Sequence, residues 1–373
     1  MAKAALPLIS LTDGERAALE VVWLDREASR IRLADRLGVS RMQASNIVRG
    51  LVDKGLITDL PQRDGGRGQP VRLLGMADDA VSAIGVKIWR TRLEFGTLNC
   101  AGQIERPQQV RLEAFTVTAV AEAANTYIRE TQKRGRCGPL VGVGFAFPGY
   151  FTGSKSMTQA YFPEWNDLDV GAALQPYFEQ PVLVENDGAC AAWGERLLGA
   201  AKTLDDFLFL DINYGVGGGV VIGGKLVRGA HGNAGVFGVP FPVGTVRPSG
   251  QDLMDTMRAA GLMVDDLPDL GLFPVADHPV IGRWIERAAE QLRPALGVLA
   301  GAFDPQAVIV GGAAPPEIIQ ALVSALDNGE FCAATHRFIP VPTLTASEVG
   351  PSVGVAGAAA LALGRALFPR RTV

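Results

Sequence analysis

Five polar side chains between positions 41 and 49 have the types and the spacing to hydrogen-bond to DNA bases. Arginine, glutamine and asparagine can make paired hydrogen bonds to the edges of guanine and adenine in the major groove. If the segment is helical, its apolar residues form a buried stripe and the polar ones project from the other side. A solvated helix face carries the same residue types, so the surrounding elements must decide. The five candidates are Arg41, Gln43, Ser45, Asn46 and Arg49.

Capping and turn residues predict two short helices joined by a tight bend. Ser29 can cap the first helix, and Gly38 ends it where a positive φ angle costs little. Ser40 can cap the second helix, and Gln43 follows three residues later, at the spacing of a capping box. We expect two buried apolar stripes, made of Ile31, Leu33, Ala34 and Leu37 in the first helix and Ala44, Ile47, Val48 and Leu51 in the second.

The second helix carries C-terminal signals and is followed by a predicted hairpin. Lys54 is expected to complement the helix C-terminus, and Gly55 stands where a glycine of positive φ belongs. Two strands follow, separated by a glycine-rich tip with basic side chains. The strands span 56–60 and 71–74, and the tip at 61–70 carries Arg63 and Arg67.

The order of helix, tight turn, helix and basic hairpin is typical of a winged helix-turn-helix. In that module the second helix lies in the major groove. A basic hairpin tip can contact phosphates or the minor groove. The combination favours this module over a solvated helix pair, so we predict double-stranded operator DNA as a partner. The predicted DNA contacts are Ser40, Arg41, Gln43, Ser45, Asn46, Arg49, Arg63 and Arg67.

Charge is distributed unevenly along the 373 residues, whose formal net charge is −4. Residues 1–75 hold 12 Lys and Arg against 9 Asp and Glu, a net +3, whereas the remainder holds 23 against 30, a net −7. An acidic remainder argues against a long nucleic-acid channel and for one compact DNA-contacting module. The apolar share of 48% allows sizeable cores and argues against disorder.

The spacing of the cysteines and the length of the apolar runs indicate where in the cell the protein is expected to be. Four dispersed cysteines, with no CxxC pair, suggest neither a zinc site nor a disulfide framework. We expect no signal peptide, and no apolar stretch near the roughly 18 residues of a membrane span. The expected location is the cytoplasm, without a membrane partner. The cysteines are Cys100, Cys137, Cys190 and Cys332.

From about Val81 onward, predicted strands alternate with predicted helices, which indicates an α/β architecture. Glycines that follow strands stand where such folds place ligand loops. The predicted strands are 84–88, 92–98, 140–147, 182–184, 207–212, 219–222 and 307–310, and the predicted helices are 115–131, 188–198 and 353–367.

Over about 81–367 the chain resembles the ROK family of bacterial repressors, open reading frames and sugar kinases. The resemblance rests on an ordered set of motifs: VGVGFAFPGY, WNDLDVGAAL, PVLVENDGACAAWGE, DINYGVGGGVVIGGKLVRGAHGNAG, FDPQAVIVGG and GVAGAAALALG. It implies a two-lobed fold of the actin-like ATPase and sugar-kinase type. An N-terminal winged helix-turn-helix is what the repressors of this family carry and its kinases lack.

The expected organisation is therefore a DNA-binding domain at 1–76, a first ROK lobe at 80–187 and a second at 188–352. The helix at 353–367 is expected to return to the first lobe.

The motifs that serve phosphoryl transfer in ROK kinases are altered. The family's Asp-x-Gly-x-Thr run corresponds here to 87–91, where Lys87 replaces the carboxylate and Trp89 fills the place of the glycine. Those changes oppose binding of Mg²⁺ and ATP on steric and electrostatic grounds. The glycine cluster 215–219 survives, but Asn213 and Tyr214 replace the usual Gly-Thr. We therefore expect no catalytic residues and no enzymatic activity.

The family's zinc motif is altered as well. Val236 stands in place of the sugar-binding glutamate, and Val239 replaces the zinc-ligating histidine. The cysteine-rich segment downstream is replaced by the run PSGQDLMD, and His231 fits an ordinary loop histidine. We expect no metal and no cofactor.

Asn186 and Asp187 match the family pair that hydrogen-bonds sugar hydroxyls, and they follow a predicted buried strand. A carboxylate beside an amide can accept from and donate to neighbouring hydroxyls. Asn-Asp after a strand can equally be a turn. Asp255 can stand in for a second family carboxylate, with Asp252 as the alternative. The predicted effector-binding residues are Asn186, Asp187 and Asp255.

The resulting hypothesis is a transcriptional regulator, a repressor of carbohydrate-related genes released by a small carbohydrate effector. It would bind a palindromic operator as a homodimer or homotetramer. Two alternatives stay open: a sugar kinase with an appended DNA-binding domain, and a repressor that acts without an effector.

Overall fold

The computed structural model describes residues 9–25, 27–61, 72–135, 137–157, 162–242, 244–273, 278–327 and 340–369. The chain forms two compact units. The first comprises 1–147, 155–184 and 358–373, and the second comprises 148–154 and 185–357.

In the N-terminal part of the first unit, the described residues form three helices and a two-stranded antiparallel hairpin. The helices pack on one another around Ala18, Leu19, Leu33, Val48 and Leu51, all fully buried. These elements are α1 (Asp13–Leu24), α2 (Arg30–Leu37), α3 (Arg41–Asp53), β1 (Ile57–Pro61) and β2 (Arg72–Met76). The predicted winged helix-turn-helix fold is confirmed, although α1 was not predicted.

The predicted caps are present, but three predicted stripe residues are not fully buried. Ser29 caps α2, and Gly38 ends it with φ 64°. Ile31, however, is 55% exposed, and Leu37 and Ile47 are only half-buried. The core of a three-helix module needs only a narrow stripe on each helix, so residues at the edge of the stripe stay in contact with solvent.

Lys54 pairs with another helix rather than serving mainly the end of its own. Its ammonium donates to both carboxylate oxygens of Glu15 in α1, at 2.6 and 2.8 Å. Burial alone would raise the pKa of Glu15, but the hydrogen bonds and charge of Lys54, together with the Thr12 backbone, leave that pKa below its ordinary value. The pair therefore joins α1 to the end of α3.

The central sheet of the first unit has the strand order β5-β4-β3-β6-β9. Glycines at the face of β6 admit α10 closely, because a Cβ on Gly144 would overlap the carbonyl oxygen of Ala358. The elements along this part of the chain are β3 (Ser82–Ile88), β4 (Arg92–Asn99), β5 (Ile104–Arg111), α4 (Val117–Arg134), β6 (Leu140–Phe147), β8 (Lys155–Met157), α5 (Val170–Leu174), β9 (Val182–Asn186) and α10 (Val353–Leu367), together with β7 (Tyr150–Thr152), which belongs to the second unit.

The second unit contains a sheet of order β12-β11-β10-β13-β14, in which β10 pairs parallel with β13 and antiparallel with β11. Its elements are α6 (Asp187–Leu198), β10 (Phe207–Ile212), β11 (Val216–Ile222), β12 (Lys225–Val227), α7 (Gly250–Ala259), α8 (Pro279–Phe303), β13 (Ala307–Gly312), α9 (Pro316–Leu326) and β14 (Thr343–Ala346). Short 3-10 helices lie at Pro163–Trp165, Gln175–Tyr177, Leu267–Leu272 and Gly350–Ser352.

One segment of the described residues, Gly350–Leu367, is long and apolar enough to cross a membrane by length and composition alone. The expectation that no stretch approaches this length was wrong for this segment. Within the fold, 72% of it is buried, as in the core helix of a folded domain.

Candidate functional site

The N-terminus of α3 is held by a reciprocal capping box. The Ser40 hydroxyl accepts from the backbone N–H of Gln43 at 3.2 Å, and the Gln43 side-chain oxygen accepts from the backbone N–H of Ser40 at 3.0 Å. These bonds fix the first turn of the helix. Ser40 and Gln43 were both predicted to contact DNA. In the structure their side chains instead stabilise the start of α3.

The remaining predicted contacts on α3 differ in exposure. Arg41, Asn46 and Arg49 are exposed, whereas Ser45 is half-buried. Met42, which the sequence did not single out, is 75% exposed on this surface. Methionine commonly fills cores, so only its helical position relative to the buried stripe could have suggested this exposure. Two further predicted contacts, Arg63 and Arg67, lie outside the described residues.

The base of the hairpin is tied to α2 through Asp59, a largely buried carboxylate in β1. Arg30 of α2 contacts one carboxylate oxygen at 2.6 Å, and Arg72 of β2 donates to the other at 3.0 Å. One carboxylate thus links a helix to both strands of the hairpin. This arrangement fixes where the hairpin leaves the module.

Asn186 ends β9 and caps α6 with its side chain. Its amide oxygen accepts from the backbone N–H groups of Gly188 at 2.9 Å and Ala189 at 3.3 Å. Its amide nitrogen donates to the carbonyl oxygen of Gly149 at 2.9 Å. Most of the hydrogen-bonding capacity of this amide is therefore used within the protein.

Asp187 is the first residue of α6 and is half-buried. One of its carboxylate oxygens accepts from the backbone N–H of Gly188 at 3.0 Å. A carboxylate is favoured at this position because the N-terminus of a helix carries partial positive charge. Just before the pair, Glu185 is buried and accepts a 2.6 Å hydrogen bond from Arg228. The structure thus brings Asn186 and Asp187 together at one helix start.

Asn233 holds the loop that Asn186 contacts. Its side chain accepts from the N–H of Phe151 at 2.7 Å and donates to the carbonyl oxygen of the same residue at 2.6 Å. Asn186 and Asn233 thereby anchor the turn after Gly149 at two points. In the segment that follows Asn233, Val236 is half-buried and Val239 is 75% exposed.

The glycine cluster serves both packing and access. A Cβ on Gly188 would come within 2.6 Å of the carbonyl oxygen of Gly218, so these glycines let α6 pack directly on β11. By contrast, a Cβ on Gly215 or Gly217 would meet nothing within 4 Å. Only part of the cluster therefore presents open backbone to a ligand.

The two candidate second carboxylates have different surroundings. Asp252 accepts a 2.7 Å hydrogen bond from the indole of Trp284 and forms an ion pair with Arg287, and these contacts join α7 to α8. Asp255 is exposed and contacts Gln251 and Arg258 of its own helix, at 3.0 and 3.3 Å. Asp252 is thus engaged in structure, whereas Asp255 faces solvent.

Lys87 and Trp89 lie against each other at the end of β3. The Lys87 side chain is fully buried, and its ammonium lies 3.8 Å from the centroid of the Trp89 ring. The indole N–H donates to Glu94 at 3.0 Å. A cation over an aromatic face is a stabilising contact. This end of β3 therefore carries a buried ammonium and an indole, and neither group can ligate Mg²⁺.

A cavity of about 580 Å³ lies at the carboxyl ends of β13 and β14. Its lining includes Gly311, Gly312 and Ser347, and it does not include Asn186 or Asp187. The hydroxyl of Ser347 donates to Glu195 of α6, a fully buried residue. Burial raises the pKa of Glu195 above its ordinary value. Its hydrogen bonds, of which the one from Ser347 has the largest effect, lower that pKa but do not cancel the effect of burial.

In the described parts of the chain, no group of three or more His, Cys, Asp or Glu side chains is arranged to hold a metal ion. His231 is exposed in the loop before Asn233.

The sequence model of the ROK family matches residues 83–242. The protein y4fQ of Sinorhizobium fredii is 36% identical over 372 residues, covering 97% of this chain and 93% of its own. The xylose repressor of Bacillus subtilis is 24% identical over 228 residues, covering 60% of this chain and 59% of its own.

A solved ROK family transcriptional regulator, described as a homolog of the E. coli MLC protein, has a similar fold. Its TM-score is 0.69 at 19% identity, and the match covers 95% of this chain and 96% of that one. Sugar kinases of the family also match, over about three quarters of this chain. The regulator match extends over the N-terminal module.

Proposed function

Because the chain belongs to the ROK family, we propose that it is a DNA-binding repressor of carbohydrate-related genes, released by a sugar-like effector. The observation that carries the proposal is the exposed face of α3, which presents Arg41, Asn46 and Arg49 within a winged helix-turn-helix. The family's xylose repressor supports the same class of function.

Operator recognition is assigned to three side chains of α3 and to the hairpin. Arg41, Asn46 and Arg49 have the donor and acceptor groups that read guanine and adenine edges. Arg63 and Arg67 are assigned to phosphate contacts, which set affinity rather than sequence preference. Ser40 and Gln43 act on DNA only through the helix turn that they stabilise.

The effector is assigned to the start of α6. Asp187 is the stronger hydroxyl acceptor of the pair, because the amide of Asn186 is largely used by the cap and by Gly149. Asp255 remains the candidate second carboxylate. Valine at 236 and 239, in place of the family's glutamate and histidine, removes polar groups that could bind a ligand, which favours an unusual sugar or a ligand that is not a sugar.

We assign no catalysis to the ROK part of the chain. Phosphoryl transfer needs Mg²⁺ held by carboxylate close to the phosphates. Lys87 and Trp89 place a cation and a bulky ring at that position, and Val239 replaces the family's zinc-ligating histidine. The residues present therefore do not fit Mg²⁺ with ATP or zinc, and the domain acts as a pseudokinase-like sensor.

A sugar kinase with an appended DNA-binding domain is the second candidate. Two observations favour it: Asp187 is retained, and Gly215 and Gly217 have open space beside them. Incubating the full chain with ATP, Mg²⁺ and a sugar panel decides between the two. The proposal predicts no sugar-dependent loss of ATP, whereas turnover with any sugar would establish the kinase.

A repressor that ignores sugars is the third candidate. In that case the ROK part serves only to assemble the dimer or tetramer. Thermal denaturation with the same sugar panel separates the candidates, because a ligand that binds the folded state raises its melting temperature. We expect one sugar to produce such a shift.

We further propose that the domains span 1–76, 80–187 and 188–352, with 353–367 returning to the second of these. Two copies of the module would read the two halves of a palindromic operator. Selecting bound sequences from a pool of random DNA duplexes tests this directly. The proposal predicts an enriched inverted repeat, and recovery of DNA without sequence preference would refute it.

A further inference from the structure

Met42 lies in the first turn of α3, on the surface that this helix turns away from its module's core. Residues 42, 46 and 49 are spaced four and three apart, so they share one face of the helix. The opposite face carries Ala44, Val48 and Leu51, all fully buried. Met42 is 75% exposed, and its neighbours on this face, Asn46 and Arg49, are exposed as well.

The first turn of α3 leaves few groups for base contacts. Ser40 and Gln43 bond to each other in the capping box, at 3.2 and 3.0 Å. Arg41 and Met42 are the other exposed side chains of that turn. In a helix-turn-helix the N-terminal residues of the second helix are those that contact base edges. An apolar side chain therefore stands at a position where contact with bases is expected.

The major groove offers an apolar side chain one partner, the methyl group of thymine. Methionine suits such a contact because its side chain is long, unbranched and polarizable. We propose that Met42 reads a thymine methyl group in the operator, beside the polar contacts of Arg41, Asn46 and Arg49. This inference rests on the proposed DNA-binding function.

Exposure alone does not identify such a residue, since single exposed apolar side chains are ordinary. Met263, in the second unit, is 82% exposed. What distinguishes Met42 is its place in line with Asn46 and Arg49. Met263 lies outside the DNA-binding module, so it provides a matched control.

The experiment uses the full chain and the DNA sequence enriched from random duplexes. Each thymine of that duplex is replaced in turn by deoxyuracil, which lacks only the methyl group. At one position per half-site, the wild type should bind about fourfold more weakly, the factor expected for burial of one methyl group. Met42→Ala should bind the two duplexes equally, whereas Met42→Leu and Met263→Ala should respond as the wild type does.

The outcomes separate the inference from the function on which it rests. If no sequence is enriched, the proposed DNA-binding function fails. If a sequence is enriched but deoxyuracil changes nothing for the wild type, Met42 reads no methyl group. The inference is also overturned if Met42→Ala keeps the full response to deoxyuracil.

Discussion

The Arg16 guanidinium in α1 donates a 2.7 Å hydrogen bond to the carbonyl oxygen of Ala366 near the end of α10. It also donates to the carbonyl oxygen of Phe368 at 3.2 Å. The Phe368 ring is fully buried and meets Trp23 of α1 edge to face, with centroids 5.9 Å apart. The end of α10 is therefore hydrogen-bonded to and packed against α1 of the winged helix-turn-helix module.

The other end of α10 packs on the helix that begins at Asp187. A Cβ on Gly357 would overlap the carbonyl oxygen of Cys190, and one on Gly194 would lie 2.9 Å from the carbonyl oxygen of Val353. One helix thus contacts both α6 and α1. If the proposed effector acts through α10, weakening the contact between α10 and α1 should reduce the effect of the effector on DNA binding.

Arg16→Ala removes the bonds to the end of α10 without touching α3. We expect operator affinity in the absence of sugar to stay within about threefold of the wild type, because Arg16 is not among the proposed DNA contacts. The lost hydrogen bonds should instead lower the free energy of unfolding, since a hydrogen bond that involves a charged group contributes about 1.5–3 kcal/mol to stability. The loss of affinity that the effector causes should shrink. Titrations of operator DNA with and without the effector measure both quantities.

Arg129→Ala, an exposed change on α4, is the control for Arg16→Ala and should behave as the wild type. An undiminished effector response in Arg16→Ala would mean that the effector does not act through α10.

Gly357→Ala should destabilise the second unit, because the new methyl group has no room against Cys190. Overpacking of this kind costs about 1–3 kcal/mol. Gly297→Ala is the matched control: it also lies within a helix, α8, and its Cβ would meet nothing within 4 Å. That change should stabilise by about 0.5–1 kcal/mol. Denaturant unfolding measures the change in the free energy of unfolding for each variant, which should be a decrease for Gly357→Ala and an increase for Gly297→Ala. Equal changes in the two variants would contradict the packing described.

Acid should weaken the link between α1 and α3. The pKa of Glu15 is lowered in the folded chain, so its contribution to stability is present above the unfolded pKa, near 4.5. The contribution is lost as the pH falls toward the lowered folded value. The stability gap between the wild type and Lys54→Met should therefore narrow below about pH 4.5. Denaturant unfolding from pH 7 to 3 tests this, and a gap that widens in acid would contradict it.

Asn186 and Asp187 should respond differently to substitution. Asn186→Ala removes a helix cap and should lower stability by about 1 kcal/mol. Asp187→Asn retains a polar side chain at the start of α6 and should abolish the effector's thermal shift with little loss of stability. Thermal denaturation of each variant with and without the effector distinguishes the capping role of Asn186 from the proposed effector-binding role of Asp187. A full thermal shift in Asp187→Asn would move the effector site elsewhere.

Replacing Arg41 or Asn46 by alanine should cost about 1–3 kcal/mol of operator binding and relax base preference. Arg67→Ala should weaken binding to all sequences alike and reduce its salt dependence. Quantitative binding to the enriched operator and to single-base variants, at several salt concentrations, distinguishes these effects. Unchanged affinity in Arg41→Ala would mean that α3 meets DNA with another face.

Local signals were enough to predict the elements near the site. The caps Ser29 and Ser40 and the glycines at 38 and 55 marked α2 and α3, and apolar runs marked β3, β6 and β10. The same capping signal, Thr12 followed by Glu15, stood before α1 and could have revealed it.

Elements that carry contrary local signals were missed. Pro294 lies inside the 25-residue helix α8 and suggests a break that tertiary packing overrides. Pro107 lies within β5, which is tolerated because this strand is at the edge of its sheet.

The hydrogen-bond partners of the site side chains could not be predicted from the sequence. The bonds of Asn186 to Gly149, of Asp252 to Trp284 and of Asn233 to Phe151 join residues 30 or more positions apart. Such pairings arise from the tertiary fold, so residue type and spacing alone give no sign of them. They decide which carboxylates and amides remain for a ligand.

The central claim is that a sugar bound by the ROK part controls operator binding by α3. The most direct measurement is a titration of fluorescently labelled operator DNA with the full chain, repeated with each sugar of a panel. The account predicts sequence-specific binding that one sugar weakens at least tenfold, a coupling of about 1.4 kcal/mol. Specific binding that no sugar changes would contradict it.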